Sequence, residues 1–163
     1  MKKLSLKLQL FGALLALAFK KPPIGELQFA NIGEGTAGRG CKMYFGDAVT
    51  ANRYLLYKIG SDADHVALAG AGDVPLGPSD DSVADVTVPI SINVLGAVQG
   101  TVRIVTDGTL ANGSYVTAGA NGQGTLAVTT NVIIGKAIIG TDTSSAAGDV
   151  ISMIPILPGK HPF

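Results

Sequence analysis

The densest run of side chains able to hold a metal or move a proton is Asp62-Ala63-Asp64-His65, two carboxylates and an imidazole within four positions. Oxygen and nitrogen donors of this kind suit a divalent cation. The spacing nevertheless matches no recognised metal loop, and a solvated turn is the plainer reading. Asp80-Asp81 and Asp85 form a second acidic run, read as a polar connection. His65 and His161 are the two imidazoles, and Cys41 is the single cysteine, so neither an intrachain disulfide nor a multi-cysteine metal site can form. Cys41 with His65 would be a nucleophile and its base, yet nothing in the sequence orients either residue, and a spectator thiol is expected. Gly33, Gly35 and Gly38 fit the G-x-G-x-x-G spacing that cradles a pyrophosphate. That chemistry needs a strand before the glycines and a helix after them, whereas Arg39-Gly40-Cys41 continues as loop and no long amphipathic helix follows. No H-E-x-x-H, C-x-x-C, G-x-S-x-G or P-loop occurs. The expectation is a protein that is not an enzyme, with no catalytic residue, no cofactor and no metal. A metal enzyme using Asp62, Asp64 and His65 is kept as a rival.

The elements that would position these residues read as strands. In 163 residues there is room for one domain and an appendage. Hydrophobic residues are 47% and charged residues 15%, too apolar a balance for a disordered chain. The 22 glycines and 8 prolines, the many Val, Ile and Thr and the absence of Trp favour strands joined by tight turns. Strands are expected at 54–59, 65–69, 83–95, 101–106, 114–117, 125–129, 132–139 and 149–156, with 146–149 as a helical turn or loop. Turn signals lie at Gly77-Pro78, Asp107-Gly108, Asn112-Gly113 and Asn121-Gly122. Pro89 inside the longest run predicts an edge or a bulge there. The fold class expected is all-β, a small β-barrel or β-sandwich body with an extended N-terminal arm. Residues 1–52 read as arm and Gly-rich linker, residues 53–163 as the β-rich body.

The arm has a pattern of its own. Leu4, Leu6, Leu8 and Leu10 alternate with Lys3, Ser5, Lys7 and Gln9, the period of a strand with one apolar edge. The basic start and the apolar run Leu10 to Phe19 also imitate a secretory leader. The strand-like alternation is not something a leader requires, and the run is well short of the roughly 20 residues that span a bilayer. An ordered arm is therefore expected, with Pro22-Pro23 stiffening its exit. A strand of this kind takes affinity from backbone hydrogen bonds and side-chain pockets on a partner. Leu4, Leu6, Leu8, Leu10 and Phe11 would fill an apolar groove, while Lys2, Lys3, Lys7, Lys20 and Lys21 face acidic groups. Up to Lys58 the chain carries nine basic residues against three acidic, and beyond it three basic against nine acidic. Such asymmetry invites contact between copies or with another acidic surface. The zero net charge and the lack of basic-aromatic interleaving argue against nucleic acid as partner, and no basic amphipathic helix points to a membrane.

Three stretches carry a family resemblance: RYLLYKIGSDADHVALAGAGDVPLG from Arg53 to Gly77, GTVRIVTDGTLANGSYVTAGANGQG from Gly100 to Gly124, and IGKAIIGTDTSSAAGDVISMIP from Ile134 to Pro155. With these, about two thirds of the chain resembles the capsid decoration, or head cement, proteins of tailed bacteriophages. LKLQLF at Leu6 to Phe11 also looks like short openings found on phage head proteins. The resemblance implies architecture and role and supplies no active residues. It implies a structural virion protein on the outer capsid surface that bridges major capsid subunits, with the major capsid protein and further copies of itself, as a trimer, for partners. The arm and linker, about 50 residues, depart from the plainest members of that family. The rival is a secreted or cell-surface β-domain that binds a ligand or carbohydrate after loss of a leader.

Overall fold

A computed structural model describes residues 40–128, 130–140 and 144–159. The strands are β1 Cys41–Gly46, β2 Leu56–Ile59, β3 His65–Leu68, β4 Gly77–Pro78, β5 Ile90–Asn93, β6 Val102–Val105, β7 Tyr115–Ala118, β8 Gly124–Leu126, β9 Ile133–Ile138 and β10 Val150–Gly159. They form two five-stranded sheets, ordered β4-β2-β3-β1-β5 and β6-β10-β9-β7-β8. The all-β expectation for the body holds; the arm lies outside the described residues.

Both sheets roll until their outermost strands meet, which removes most of the open edge that invites aggregation. In the first, Ser79 bridges Ile92, and Leu95 N donates to Leu76 O at 2.9 Å and Asp80 N to Ser91 O at 3.0 Å. This junction depends on Gly77, because a Cβ there would stand 1.8 Å from the Asn93 carbonyl oxygen. In the second, Thr106 bridges Gly124 and Asp107 N donates to Gly124 O at 3.0 Å. The first sheet includes a parallel pair, β1 with β3, whereas every strand pair in the second is antiparallel.

Each roll has its own core. Tyr44, Tyr57, Val66, Val83, Ile90 and Ile92 fill the first. Val102, Ile104, Val116, Ile134, Ala137 and Met153 lead the second. The seam between them comes from alternation along two strands. On β2, Tyr57 belongs to the first cluster and its neighbour Leu56 to the second; on β6, Ile104 belongs to the second and Val105 packs against the first. Backbone bonds tie the seam, Val105 N to Tyr54 O at 3.1 Å and Gly122 N to Ala69 O at 2.7 Å. A strand buried on both faces reads as a continuous apolar run, which is why Leu55-Leu56-Tyr57 lacks alternation in sequence.

The Asn121-Gly122 turn joins β7 to β8 as expected, with φ of 55° and 73°. Elsewhere the structure departs from the sequence reading. Residues 41–46, expected as linker, form β1, hydrogen-bonded between β3 and β5. The run 83–95 is a strand only over β5: Val83 makes an isolated bridge to Thr50, and a turn pinned by Asp85 intervenes, its carboxylate accepting from Thr87 N and Oγ1 at 2.8 Å each. Gly77-Pro78 is no turn but the two-residue β4, paired with Tyr57 and Leu56. Asp107-Gly108 and Asn112-Gly113 do not close a hairpin between neighbouring strands, since β6 pairs with β10 and not with β7. Residues 146–149 do make a turn, with Asp149 N bonded to Ala146 O at 3.2 Å and the Asp149 carboxylate taking Ala146 N at 2.7 Å.

Candidate functional site

His65 opens β3 opposite Phe45 of β1, and the two rings lie 5.8 Å apart. Its Nδ1 meets Asp62 Oδ1 at 2.7 Å, and the same oxygen accepts Asp64 N at 2.9 Å. Asp62 therefore caps the turn as well as pairing with the ring. The hydrogen bond to His65 holds the Asp62 carboxyl below its ordinary range, and the same bond, aided by the fields of Asp47 and Asp64, lifts His65 above its own. Asp47 is spent on the neighbouring turn, where it accepts Ser61 N at 2.9 Å and Ser61 Oγ at 2.7 Å. The two carboxylates named in the metal reading thus do not converge with the imidazole on a common point. Among the described residues no three metal-capable side chains gather.

Cys41 and His65 stand at opposite ends of the β1 contact, about 13 Å apart along the strand at about 3.3 Å per residue. The structure does not bring them together. Cys41 Sγ instead donates to Asn93 Oδ1 at 3.0 Å, and Asn93 Nδ2 to Asp80 Oδ1 at 2.8 Å. These groups line an open cleft of about 580 Å³ with Tyr54, Gln99 and Arg103. Tyr54 is left-handed, φ 62°, with the Arg103 guanidinium 5.8 Å above its ring. At the first roll's centre, burial pushes the Tyr57 phenol up; Thr50 beside it offsets part of that without closing a hydrogen bond of ordinary geometry.

The feature with the greatest reach is the outer face of the second roll. Tyr115 on β7 is in register with Lys136 on β9, and Lys136 with Ile154 on β10. The next rung is Ile138, Ser152 and Arg103. Tyr115 is 38% exposed, Ile154 47% and Val150 50%, and the Lys136 ammonium sits 5.0 Å from the Tyr115 ring centre. Large apolar side chains interspersed with two cations make an adhesive surface. Sequence reasoning missed it, because Ile151, Met153 and Ile154 look alike until the strand's neighbours are known. A second exposed apolar pair, Val86 and Val88 at 40% and 52%, stands on the turn pinned by Asp85.

The arm residues Lys2, Lys3, Leu4, Leu6, Lys7, Leu8, Leu10, Phe11, Lys20 and Lys21 lie outside the described residues, as do Gly33, Gly35, Gly38 and His161. No helix among the described residues is long and apolar enough to cross a membrane. No protein-family model and no curated protein matches the chain. Among solved structures, the N base of the head fiber gp8.5 of bacteriophage phi29 aligns at 17% identity and a TM-score of 0.48, over 72% of this chain and 94% of that one.

Proposed function

We propose that this chain is a non-enzymatic structural protein of a phage virion, one that coats the outer surface of the capsid and bridges major capsid subunits. The observation that carries the reading is the outer face of the second roll, where Tyr115 and Ile154 stand on either side of Lys136 and, with Val150 further along β10, remain about half exposed. A rigid, twice-rolled body with apolar side chains turned outward is suited to repeated contact with an ordered lattice. Burial returns ~25 cal/mol per Å² of apolar area, offset in part by the cost of association. Many weak contacts on one shell then act together. The likeness of the three stretches at 53–77, 100–124 and 134–155 to head cement proteins supports the same reading.

In this reading Leu4, Leu6, Leu8 and Leu10 fill a groove on the capsid or on a neighbouring copy, with Lys2, Lys3 and Lys7 on acidic groups. Shells that carry the protein should release their DNA at a higher temperature than shells that lack it. Equal release temperatures would refute reinforcement. Deleting residues 1–23 should leave a folded body that occupies shells poorly; full occupancy by the truncated chain would remove the arm from the account.

A further inference from the structure

Where the two rolls meet, side chains of both line the open cleft of about 580 Å³, with Asp80, Asn93 and Gln99 from the first and Thr101 and Arg103 from the second. Its volume is that of a small-ligand site, and the junction of two packed bodies is where such sites gather. Adhesion through Tyr115, Lys136 and Ile154 makes no use of it. Arg103 reaches it from β6, the edge strand of the second sheet, and β10 and β9 stand between β6 and the Tyr115 strand β7. At about 4.8 Å per strand, that separation is roughly 14 Å.

The walls of the cleft are held in place. Tyr54 is a bulky residue in the left-handed region, φ 62°, a conformation that persists only where the surroundings impose it. Here Tyr54 N donates to Ser79 O at 3.1 Å and Tyr54 O accepts Val105 N at 3.1 Å, which pins the residue to both rolls. The Arg103 guanidinium rests 5.8 Å above its ring. On the first-roll side, Asn93 is 7% exposed and fixes Asp80 through Nδ2 at 2.8 Å, while its Oδ1 takes the Cys41 thiol at 3.0 Å. The rim leading to Gln99 is a closed turn, with Ala97 N and Val98 N both donating to Val94 O. Groups ordered in advance lose little freedom when a ligand arrives.

A guanidinium and a carboxylate thus line one space without pairing with each other; the ion pairs among the described residues are Lys58 with Asp73 and His65 with Asp62. A ligand that satisfies both offers an acceptor to Arg103 and donors to Asp80. An apolar molecule offers neither. A free phosphate dianion suits Arg103 but is repelled by Asp80, since the two side chains sum to no net charge. A single carboxylate on a hydroxylated ring meets both needs. The carboxylate takes the planar guanidinium fork at two points, ring hydroxyls donate to Asp80 and bond Gln99 and Thr101, and the C–H face of the ring lies against Val98. We propose that this cleft binds an acidic sugar, a pyranose bearing one carboxylate, with Arg103 on the carboxylate and Asp80 and Gln99 on the hydroxyls. Such a site stands whether or not the chain coats a shell.

Amide chemical shifts of the full chain, followed by NMR during separate titrations with glucuronate, glucose and inorganic phosphate, test this. Glucuronate should move the Tyr54, Gln99, Thr101 and Arg103 amides to a plateau and bind at least roughly tenfold more tightly than glucose, which has no carboxylate. Phosphate should bind more weakly than glucuronate. Arg103→Lys keeps the charge but loses the fork, and should weaken glucuronate binding roughly tenfold. Gln99→Ala removes one neutral hydrogen-bonding group and should weaken it about threefold. Both side chains are exposed, so folding should persist. The absence of a plateau with glucuronate, shifts gathered away from the cleft, glucose or phosphate binding as tightly as glucuronate, or Arg103→Lys without effect would each overturn the proposal.

Discussion

The two rolled sheets reach closure by different means. In the first, backbone meets backbone: Gly77 packs on the Asn93 carbonyl with no room for a methyl group. In the second, the bridging residue is again a glycine, Gly124, but the atom a Cβ would meet first is the Ile104 Cδ1 at 2.7 Å, the free end of a side chain. Loops of the first roll are held by aspartate side chains, as in Asp47 on Ser61, Asp62 on His65 and Asp73 on Gly70 N and Lys58. The second roll pins turns as well, through Asn112 on Ile139 N, Asn131 on Val128 N and Asp149 on Ala146 N, and adds longer strands, its β9–β10 pairing running over most of β9. One region closes backbone on backbone around aspartate-held loops, while the other closes on an aliphatic side chain and carries a sticky exterior.

The sharpest way to break this contrast is a methyl group at each closure. Gly77→Ala should cost about 3 kcal/mol or more, since neither backbone can withdraw. Gly124→Ala should cost about 1 kcal/mol, because Ile104 can change rotamer. Urea unfolding of both variants measures the difference, and equal losses would mean that the two closures are alike.

Next in size is the seam. Leu56→Ala removes a fully buried side chain that stands on a first-sheet strand and fills the second core, with an expected loss of about 3 kcal/mol. Fluorescence of the tyrosines and far-UV circular dichroism should still report one transition, because the seam couples the rolls. Two separated transitions in the wild type would contradict that coupling.

The smallest effect concerns the pinned loops. His65 is raised by its bond to Asp62, so this pair contributes stability that is complete below the ordinary histidine pKa and is lost as pH rises through the elevated one. Asp62→Asn should bring the His65 titration, followed by NMR, back toward its ordinary midpoint. An unmoved midpoint would assign the elevation to other charges.

Much of this contrast was legible in the sequence. The Asn121-Gly122 hairpin, the strands at 65–68, 102–105 and 133–138, and the turn nature of 62–64 follow from local spacing. What escaped depends on distant partners. Cys41–Gly46 sits in a Gly-rich stretch with a blurred burial pattern, and it becomes a strand because β3 and β5 supply its hydrogen bonds. The 83–95 run has strand-like residues, yet Asp85 captures the Thr87 amide and Pro89 has none to give. The adhesive face was invisible for a similar reason. Tyr115, Lys136 and Ile154 are far apart in the chain and meet only through the register of three strands. The acidic turns needed no such knowledge, being built from near neighbours.

The account turns on adhesion to an ordered shell, and stoichiometry tests it most directly. Purified full-length protein, titrated onto shells built from the major capsid protein of the genome that encodes it, should co-sediment to a plateau at a fixed ratio of copies to capsid subunits. Protein that stays in the supernatant at every concentration, or that pellets in proportion to the amount added without a plateau, would contradict it.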